Sequence, residues 1–406
     1  QEIVDLCNAS PQCIYAGFDP TANSLHIGNL FVLIKLMHWQ RAGHQPIALI
    51  GGATARVGDP SGKTKERDEQ NVAILEKFSV SIEETIKRLF DNHEKYFWDN
   101  KKGPLIPIRV LNNADWFRGL NVIDFVSTFG RNFRMGTLLS RKSVESRINS
   151  EAGMNFAEFS YQLFQAFDWL HLVSAYDCKF QVGGCDQMGN IMSGHELISR
   201  VLGTKVYGFT VPLITSETGD KYGKTGNNAI WLEPAMTSPF ELYQFFIRLP
   251  DADIPNFLKY FTFLTLPEVE DLIIKHVAKP EKRIGQKILA EKVTQLVYGQ
   301  EGLDSALKTT AAVYDSSLEK LSLLNDEELA SIFKGATEIS MLLDPGMTIR
   351  QMVLSARCFL ELGDAERIIR SGGLYINHQR VTNPDEALVF GVHILPNYLS
   401  LVRVGE

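Results

Sequence analysis

The chain has 406 residues, 45% hydrophobic and 22% charged, a composition typical of a folded protein with two or three domains. No apolar run approaches the roughly 20 residues that a membrane-spanning helix needs, so we expect no integral membrane protein. The formal net charge of −7 opposes indiscriminate electrostatic binding to nucleic acid but allows local basic faces.

The cysteines and the first residue of the chain give information about the cellular compartment of the protein. The five cysteines include no C-x-x-C pair, so the sequence predicts neither a zinc knuckle nor a disulfide framework. That pattern is typical of a reducing compartment. The chain begins at Gln1 rather than at a methionine, and we expect that a targeting segment has been removed.

Short β-type runs alternate with helical patterns over about the first two hundred residues. "CIYAGF" and "IALIG" are typical of buried strands, and a polar loop and a helix from Leu30 to Arg41 separate them, with Gly43 as the C-cap. "PIRVLNN" and "CKFQVGG" indicate further buried strands. The alternation predicts an α/β fold, a Rossmann-like doubly wound parallel sheet with ligands at the carboxyl ends of its strands.

The pattern changes after "WLEPAMTSP". We predict an α/β domain over residues 1–237 with a helical insert at about 114–172, an all-α domain over 238–342, and a small α+β module over 343–406. Two segments are rich in cations, Ser127 to Asn149 and Lys275 to Lys292. Each is compatible with a contact to nucleic acid and with a solvated helix face. The cations of the first segment are Arg131, Arg134, Arg141, Lys142 and Arg147.

The stretch "GGATARVGDPSGKT", from Gly51 to Thr64, ends like a phosphate-binding P-loop. A P-loop needs a glycine that four residues separate from the final Gly62-Lys63 pair, because its backbone N–H groups surround the phosphates. That position is Val57, and Gly58 comes one residue too late. The sequence therefore predicts that this is not a P-loop.

Two other loops carry residue types that suit phosphate. "GFDPTANSLHIGN" places His26 and Gly28 at a helix start, where backbone N–H groups and the helix dipole favour anions. "KYGKT", Lys221 to Thr225, places two lysines and a hydroxyl in a glycine-rich loop. Taken alone, the first is more typical of a helix cap or a surface residue, and the second of a solvated turn with ordinary surface lysines.

A polar stripe interrupts the apolar segment "EFSYQLFQAFDW". Tyr161, Gln165 and Asp168 are spaced by four and three residues, which places them on one helix face within about 60° of arc. The stripe is compatible with a binding pocket and with a solvent-facing surface.

Together these segments resemble known signatures. The His-Ile-Gly loop after the first strand and the Lys-x-x-Lys-Thr loop after the last resemble the two signatures of class I aminoacyl-tRNA synthetases. Tyr15 on the first strand and the Y-x-x-x-Q-x-x-D helix are similar to the tyrosine pocket of tyrosyl-tRNA synthetases. The resemblance covers nearly the whole chain and includes "NNADW" and "GGCDQMGN". The chain is identified as a member of this family, of the bacterial and organellar type and most similar to mitochondrial forms.

The resemblance implies a tyrosine–tRNA ligase. The enzyme would activate L-tyrosine with ATP, accompanied by Mg²⁺ and without a tightly bound protein metal, and would transfer tyrosine to tRNA(Tyr). It implies a homodimer joined near Phe125 to Ser140, an anticodon-binding role for residues 238–342, and an RNA-binding role for the terminal module, which resembles a small ribosomal-protein domain. The expected location is the mitochondrial matrix, with bacterial cytoplasm as the alternative, and no membrane association is expected.

The resemblance also implies roles for the tyrosine-binding residues. Tyr15 and Asp168 would bond to the phenolic hydroxyl. Asp59, Tyr161 and Gln165 would hold the ammonium group. Thr54 would face the amino acid, and Gln187 would lie near its carboxylate.

For ATP, the resemblance places Thr21 and His26 at the γ-phosphate. Asp186 would lie near the ribose, and Gly17 and Asp19 near the adenylate backbone. Two loops would supply the remaining catalytic groups, which are Lys63, Arg67, Lys221, Lys224 and Thr225. The other ATP contacts would be two glycines and an amide, which are Gly28, Gly184 and Asn29.

The sequence departs from the family pattern in a few places. Asn29 stands where the second signature histidine is usual, and it cannot carry a charge. The terminal module is not strongly basic, and it ends at "LVRVGE", before the closing strand that we expect. The rival hypotheses are a non-catalytic RNA-binding paralogue, a P-loop hydrolase and a tryptophan-specific relative; Tyr15 with Asp168 favours phenol over indole.

Overall fold

The computed structural model describes residues 1–62, 71–214, 229–314, 318–333, 339–359 and 361–405. The chain divides into two compact units. Unit 1 comprises Gln1–Thr237 and Phe245–Gly299, and unit 2 comprises Ser238–Gln244 and Gln300–Glu406. The three-domain limits expected from the sequence stay a prediction.

Unit 1 contains a five-stranded sheet in the order β3-β2-β1-β4-β5. Each pair of neighbouring strands is parallel, which confirms the predicted α/β class. The strands are β1 (Cys13–Phe18), β2 (Gln45–Ile50), β3 (Arg109–Asn112), β4 (Phe180–Gly184) and β5 (Tyr207–Val211).

The central strands are apolar because both faces of a parallel sheet are covered. Ile14 and Ile47 are completely buried, and β1 pairs with β2 from Cys13↔Gln45 to Phe18↔Ile50. The strand order changes direction at β1, between β2 and β4. Because such a switch point leaves a crevice beyond the carboxyl ends of the strands, it is the expected location of a ligand site.

Helices precede, connect and follow these strands along the chain. The long ones are amphipathic or buried, and four short ones follow β3 within the predicted insert. They are α1 (Glu2–Ala9), α2 (Ile27–Arg41), α3 (Thr54–Val57), α4 (Val72–Phe97), α5 (Ala114–Phe117), α6 (Val122–Asp124), α7 (Met135–Leu139), α8 (Lys142–Ile148), α9 (Phe156–Tyr176) and α10 (Met188–Leu202), followed by α11 (Pro239–Ile247), α12 (Ile254–Phe261), α13 (Leu266–Ala278) and α14 (Ile284–Tyr314).

Helix α2 begins at Ile27, earlier than the predicted Leu30, because His26 caps it. It ends at Arg41, and Gly43 follows the C-cap Ala42 with a left-handed φ of 87°. Glycine adopts that conformation without a steric penalty, so the end of the helix agrees with the sequence.

Unit 2 holds the short helices α15 (Leu318–Leu321), α16 (Asp326–Ile332), α17 (Ile349–Ser355) and α18 (Leu362–Arg370) and an antiparallel sheet in the order β7-β6-β8. Strands β6 (Leu374–Ile376) and β7 (Gln379–Val381) form a hairpin whose two turn residues, Asn377 and His378, have φ of 50° and 62°. That pair of positive φ values is typical of a two-residue hairpin turn. β8 (Val402–Val404) pairs with β6 within the "LVRVGE" segment, a strand that the sequence analysis did not predict.

In the described part of the chain, no helix combines the length and the apolar character needed to cross a membrane.

Candidate active site

A cavity of about 690 Å³ lies beyond the carboxyl ends of β1 and β4 in unit 1. Its size is within the usual range for small-molecule sites. Every predicted site residue that belongs to the described ranges lines it: Tyr15, Gly17, Asp19, Thr21, His26, Gly28, Asn29, Thr54, Asp59, Tyr161, Gln165, Asp168, Gly184, Asp186 and Gln187. The predicted residues Lys63, Arg67, Lys221, Lys224 and Thr225 lie outside the described residues.

The polar stripe predicted on one helix is a cavity wall. Tyr161, Gln165 and Asp168 belong to α9, and all three face the cavity. The solvent-facing alternative is therefore wrong, since Tyr161 is only 7% exposed and Asp168 only 3%.

Asp168 is a buried carboxyl group that two neutral donors hold. Its Oδ2 accepts a hydrogen bond from Asn113 Nδ2 at 3.0 Å, and its Oδ1 accepts one from Trp116 Nε1 at 2.9 Å. Burial raises the pKa of Asp168 to about 8, with a smaller contribution from the charge of Asp19, while the two hydrogen bonds oppose the rise. The protonated carboxyl group therefore predominates at neutral pH.

Two buried polar atoms at this cavity have no hydrogen-bond partner among the described residues, the Tyr15 hydroxyl and Gln165 Oε1. The Tyr15 ring lies 6.2 Å from that of Trp169, and burial raises the pKa of Tyr15 well above its ordinary value. Leaving a buried polar group unpaired is costly. A ligand with polar atoms at these positions would remove that cost.

Asp19 follows β1 and connects two other predicted residues. Its Oδ1 accepts from Thr54 Oγ1 at 2.8 Å, and its Oδ2 accepts from the Tyr161 hydroxyl at 3.0 Å. Gly51 makes this packing possible, since a Cβ atom there would lie 2.0 Å from Asp19 Oδ1. The first glycine of "GGATARVGDPSGKT" thus has a steric role and not a phosphate-wrapping one.

Asp59 and Gln187, predicted to contact different groups of the substrate, are bonded to each other. Gln187 Nε2 donates to Asp59 Oδ2 at 2.7 Å, and the Ser61 backbone N–H donates to Oδ1 at 2.9 Å. Asn190 Nδ2 contacts the same carboxylate at 3.4 Å and Gln187 Oε1 at 3.1 Å. The cluster fixes a carboxylate at the cavity surface, and the sequence analysis did not identify Asn190.

The His26 loop both caps a helix and lines the cavity. His26 Nδ1 accepts from the Gly28 N–H at 3.0 Å, and Asn29 Oδ1 accepts from the His26 N–H at 3.1 Å. This reciprocal pair is a capping box. Asn29, which replaces the usual histidine, therefore has a structural task that its amide oxygen performs.

Asn113 and Trp116 are functional candidates that sequence reasoning missed. Asn113 is completely buried, and its Nδ2 donates to both Asp168 and Thr54 Oγ1, each at 3.0 Å. Its Oδ1 accepts from the Ala53 N–H at 2.7 Å, so the residue that follows β3 is bonded both to the start of α3 and to α9. The available signal was the motif "NNADW", which resembled the family but received no role.

Within the described ranges, no group of three or more His, Cys, Asp or Glu side chains is placed to hold a metal ion.

Comparisons with known proteins show the family of this chain. The model of the class I tRNA synthetases (W and Y) matches residues 8–315. The mitochondrial tyrosine–tRNA ligase of Drosophila melanogaster is 53% identical over 97% of this chain and 86% of its own length. The tyrosine–tRNA ligase of the bacterium Rhodopirellula baltica is 38% identical over 95% of this chain and 86% of its own.

A solved structure supports the same conclusion. The C-terminally truncated mitochondrial tyrosyl-tRNA synthetase of Aspergillus nidulans is similar with a TM-score of 0.68 and 33% identity, over 77% of this chain and 89% of that one. The chain therefore belongs to the tyrosyl-tRNA synthetases of the bacterial and organellar type, within the class I tRNA synthetases.

Proposed function

We propose that this chain is a tyrosine–tRNA ligase that forms tyrosyl-adenylate from L-tyrosine and ATP and transfers tyrosine to the 3′ end of tRNA(Tyr). The observation that carries the proposal is the pairing of Tyr15 and Asp168 at one cavity. Both are nearly inaccessible to solvent, at 1% and 3% exposed, and the Tyr15 hydroxyl has no partner among the described residues.

These two groups recognise a phenol. The Tyr15 hydroxyl and the Asp168 carboxyl group bond to the hydroxyl of substrate tyrosine. Phenylalanine would leave the Tyr15 hydroxyl buried and unpaired, which costs about 1–3 kcal/mol, whereas Asp168 would keep its bonds to Asn113 and Trp116. Asn113 and Trp116 are positioning residues, because each holds one oxygen of Asp168.

The amino-acid backbone binds further along the cavity. Asp59, Tyr161 and Gln165 hold the ammonium group, and the unpartnered Gln165 Oε1 supplies an acceptor for it. Gln187 lies near the substrate carboxylate. Thr54 faces the amino acid, and its hydroxyl donates to Asp19. When the substrate binds, the hydrogen bond between Gln187 and Asp59 breaks or is shared with the ammonium and carboxylate groups of the substrate.

Activation is an in-line displacement on the α-phosphate of ATP. A carboxylate oxygen of tyrosine forms the new bond to phosphorus, the bond to the bridging oxygen breaks, and pyrophosphate leaves. The nucleophile is already ionised, so catalysis rests on positioning and on stabilising phosphate charge. Mg²⁺ enters with ATP as part of the substrate.

The chain's own residues supply that stabilisation. Thr21 and His26 donate to the γ-phosphate, and Asp186 binds the ribose. No protein atom lies within 4 Å of the position that a Cβ atom of Gly17 would take, so the adenylate can approach the backbone closely there. The other ATP contacts are Asp19, Gly28, Asn29 and Gly184. The residues that supply charge and a hydroxyl from the two loops are Lys63, Arg67, Lys221, Lys224 and Thr225.

We also propose a homodimer in the mitochondrial matrix that binds tRNA across its subunits. Exposed apolar side chains on the insert support an interface there: Val122, Ile123, Val126, Met135 and Phe156 are 57–81% exposed. For the anticodon arm, the Lys275 to Lys292 run is the stronger candidate, since Lys279, Lys282 and Lys287 in it are exposed. The first basic segment is weaker, because Arg141 and Arg147 form internal ion pairs with Glu196 and Glu158.

ATP–pyrophosphate exchange with each aromatic amino acid tests the proposal. Wild type is compared with Asp168→Ala and with Asp115→Ala, an exposed carboxylate near Trp116 as the control. We expect exchange with tyrosine alone, lost in Asp168→Ala and kept in the control. Exchange with tryptophan would favour the tryptophan-specific relative, and no exchange while tRNA still binds would favour the non-catalytic paralogue.

A further inference from the structure

A short antiparallel contact beside the large cavity joins two distant parts of unit 1. It consists of residues 25–27 and residues 230–232, and we call it the His26–Trp231 bridge. The Ile27 N–H donates to the Ile230 carbonyl oxygen at 3.0 Å, and the Leu232 N–H donates to that of Leu25 at 2.9 Å. Both His26 and Trp231 line the cavity, and the centres of their rings are 6.3 Å apart.

Helix α4 is bonded to both sides of this bridge. Arg88 Nη2 donates to the Leu232 carbonyl oxygen at 2.7 Å, and its Nη1 pairs with Glu233 Oε2 at 3.3 Å. Two turns earlier on α4, Ser81 Oγ donates to the Asn23 carbonyl oxygen at 2.8 Å. The planar guanidinium can bond to two neighbouring residues at once, for which a single ammonium group is less suited.

The bond from Arg88 to the Leu232 carbonyl oxygen has no ready substitute. Leu232 is completely buried, so water cannot replace the guanidinium as donor unless residues 230–232 move. Because a buried carbonyl oxygen without a donor is costly, loss of Arg88 favours such a movement.

Tyr298 of α14 restrains the same segment from a second helix. Its hydroxyl contacts the carbonyl oxygens of Trp231, at 3.4 Å, and of Thr237. The Trp231 N–H donates to Thr237 Oγ1 at 2.9 Å, which closes the turn that follows the bridge. Loss of Arg88 should therefore loosen the bridge without releasing the whole segment.

The bridge fixes the backbone of a proposed catalytic residue. His26 Nδ1 accepts from the Gly28 N–H at 3.0 Å, so the neutral ring carries its proton on Nε2, as a donor to phosphate requires. A donor stabilises developing charge only when it is held at the correct distance, and a displacement of about 1 Å can cost about 100-fold in rate. A shift of residues 230–232 would reach His26 through the two backbone hydrogen bonds of the bridge.

We propose that Arg88 is a positioning residue for tyrosine activation, which fixes residues 230–232 to α4 and thereby sets the position of His26. The inference rests on the proposed ligase function. Arg88 is not among the described residues that line the cavity, so it acts through the bridge and not by contact with ATP.

Steady-state ATP–pyrophosphate exchange tests the proposal with Arg88→Met. We expect kcat/KM for ATP to fall about tenfold, while KM for tyrosine stays within about twofold, because the bridge lies beside His26 and not beside Asp168. Arg88→Lys should recover part of the loss, since its ammonium group can still donate to the Leu232 carbonyl oxygen.

Lys87→Met is the matched control for Arg88→Met. Lys87 is the neighbouring cation on α4, and it is exposed and pairs with Glu83 of the same helix. Its removal should leave both constants unchanged. An equal loss in Lys87→Met, or an equal effect of Arg88→Met on ATP and on tyrosine, would overturn the proposal.

A double-mutant cycle with His26→Asn tests whether Arg88 acts through His26. Asparagine keeps an acceptor for the helix cap but has no imidazole. In the His26→Asn background, Arg88→Met should change kcat/KM for ATP by less than about twofold, because residues that act through each other are not additive. A further tenfold loss in that background, of about the size seen in the wild type, would contradict the assigned route.

Hydrogen exchange followed by mass spectrometry examines the bridge independently of activity. Peptides that contain the amides of Ile27 and Leu232 should exchange at least about fivefold faster in Arg88→Met than in Lys87→Met, while peptides from β2 stay unchanged. Equal exchange in the two variants would overturn the proposal. Absence of pyrophosphate exchange in the wild type would overturn the ligase function, whereas hydrogen exchange would still decide whether Arg88 holds the bridge.

Discussion

The two ends of the large cavity satisfy their polar groups in opposite ways. At the Asp168 end (Tyr15, Asn113, Trp116 and Asp168), the Tyr15 hydroxyl is buried without a partner among the described residues. At the His26 end (His26, Gly28 and Asn29), the same kind of groups bond to each other in a helix cap. The Asp168 end is therefore prepared for a ligand's polar atoms, whereas the His26 end is already stable without one.

The largest effect on activity should come from removing the carboxyl group of Asp168. Asp168→Ala should lower kcat/KM for tyrosine at least about 100-fold, because it leaves Asn113 and Trp116 donors unpaired as well as the substrate hydroxyl. Steady-state ATP–pyrophosphate exchange at varied tyrosine measures this. A loss below tenfold would contradict the assignment of Asp168 to the phenol.

The same carboxyl group should make stability depend on pH. The pKa of Asp168 is about 8 in the folded chain against 3.8 ordinarily, so between these values the folded state binds more protons than the unfolded state. Its contribution to the free energy of unfolding should therefore fall as pH rises from about 4 to about 8, by at most about 1.4 kcal/mol per pH unit.

Denaturant unfolding of wild type and Asp168→Asn at pH 5, 6, 7 and 8 checks this. The quantity to compare is the difference between their free energies of unfolding at each pH. The free energy of unfolding of the wild type relative to that of the amide variant should decrease steadily over that series, by at most about a factor of ten in the folding constant per pH unit. A constant difference would show that Asp168 is ionised throughout.

A smaller effect should follow from Tyr15→Phe. It removes one hydroxyl from the Asp168 end, so kcat/KM for tyrosine should fall about tenfold, while activity with phenylalanine should stay equal or rise. Tyr176→Phe, on the same helix as Asp168 but outside the cavity, is the control. Equal losses with both amino acids would indicate a packing defect rather than recognition.

The smallest effect should occur at the His26 end. Asn29→Ala removes half of the capping box and should reduce the free energy of unfolding by about 1 kcal/mol. The KM for ATP should change only a few-fold. An increase above tenfold with unchanged stability would mean that Asn29 contributes more to ATP binding than to the helix cap, and the contrast between the two ends would disappear.

Local spacing accounts for what the sequence predicted well. The stripe of Tyr161, Gln165 and Asp168 follows from helix geometry alone, and the buried strands follow from continuous apolar runs. Asn113 escaped prediction because its partners Thr54 and Asp168 are 59 and 55 residues away in sequence. Asn190 escaped for the same reason, since Asp59 is 131 residues from it. Residues so far apart along the sequence produce no periodic sequence pattern that would predict their contact.

The amide of Asn113 has one further consequence. Its two hydrogens bond to Asp168 and to Thr54, and Thr54 in turn bonds to Asp19, so a single side chain joins the proposed amino-acid half of the site to the proposed nucleotide half. Substitutions in the two halves are therefore not independent, and their free-energy effects should not add. By thermodynamic linkage, any factor by which bound tyrosine changes ATP affinity through this chain of bonds equals the factor by which bound ATP changes tyrosine affinity.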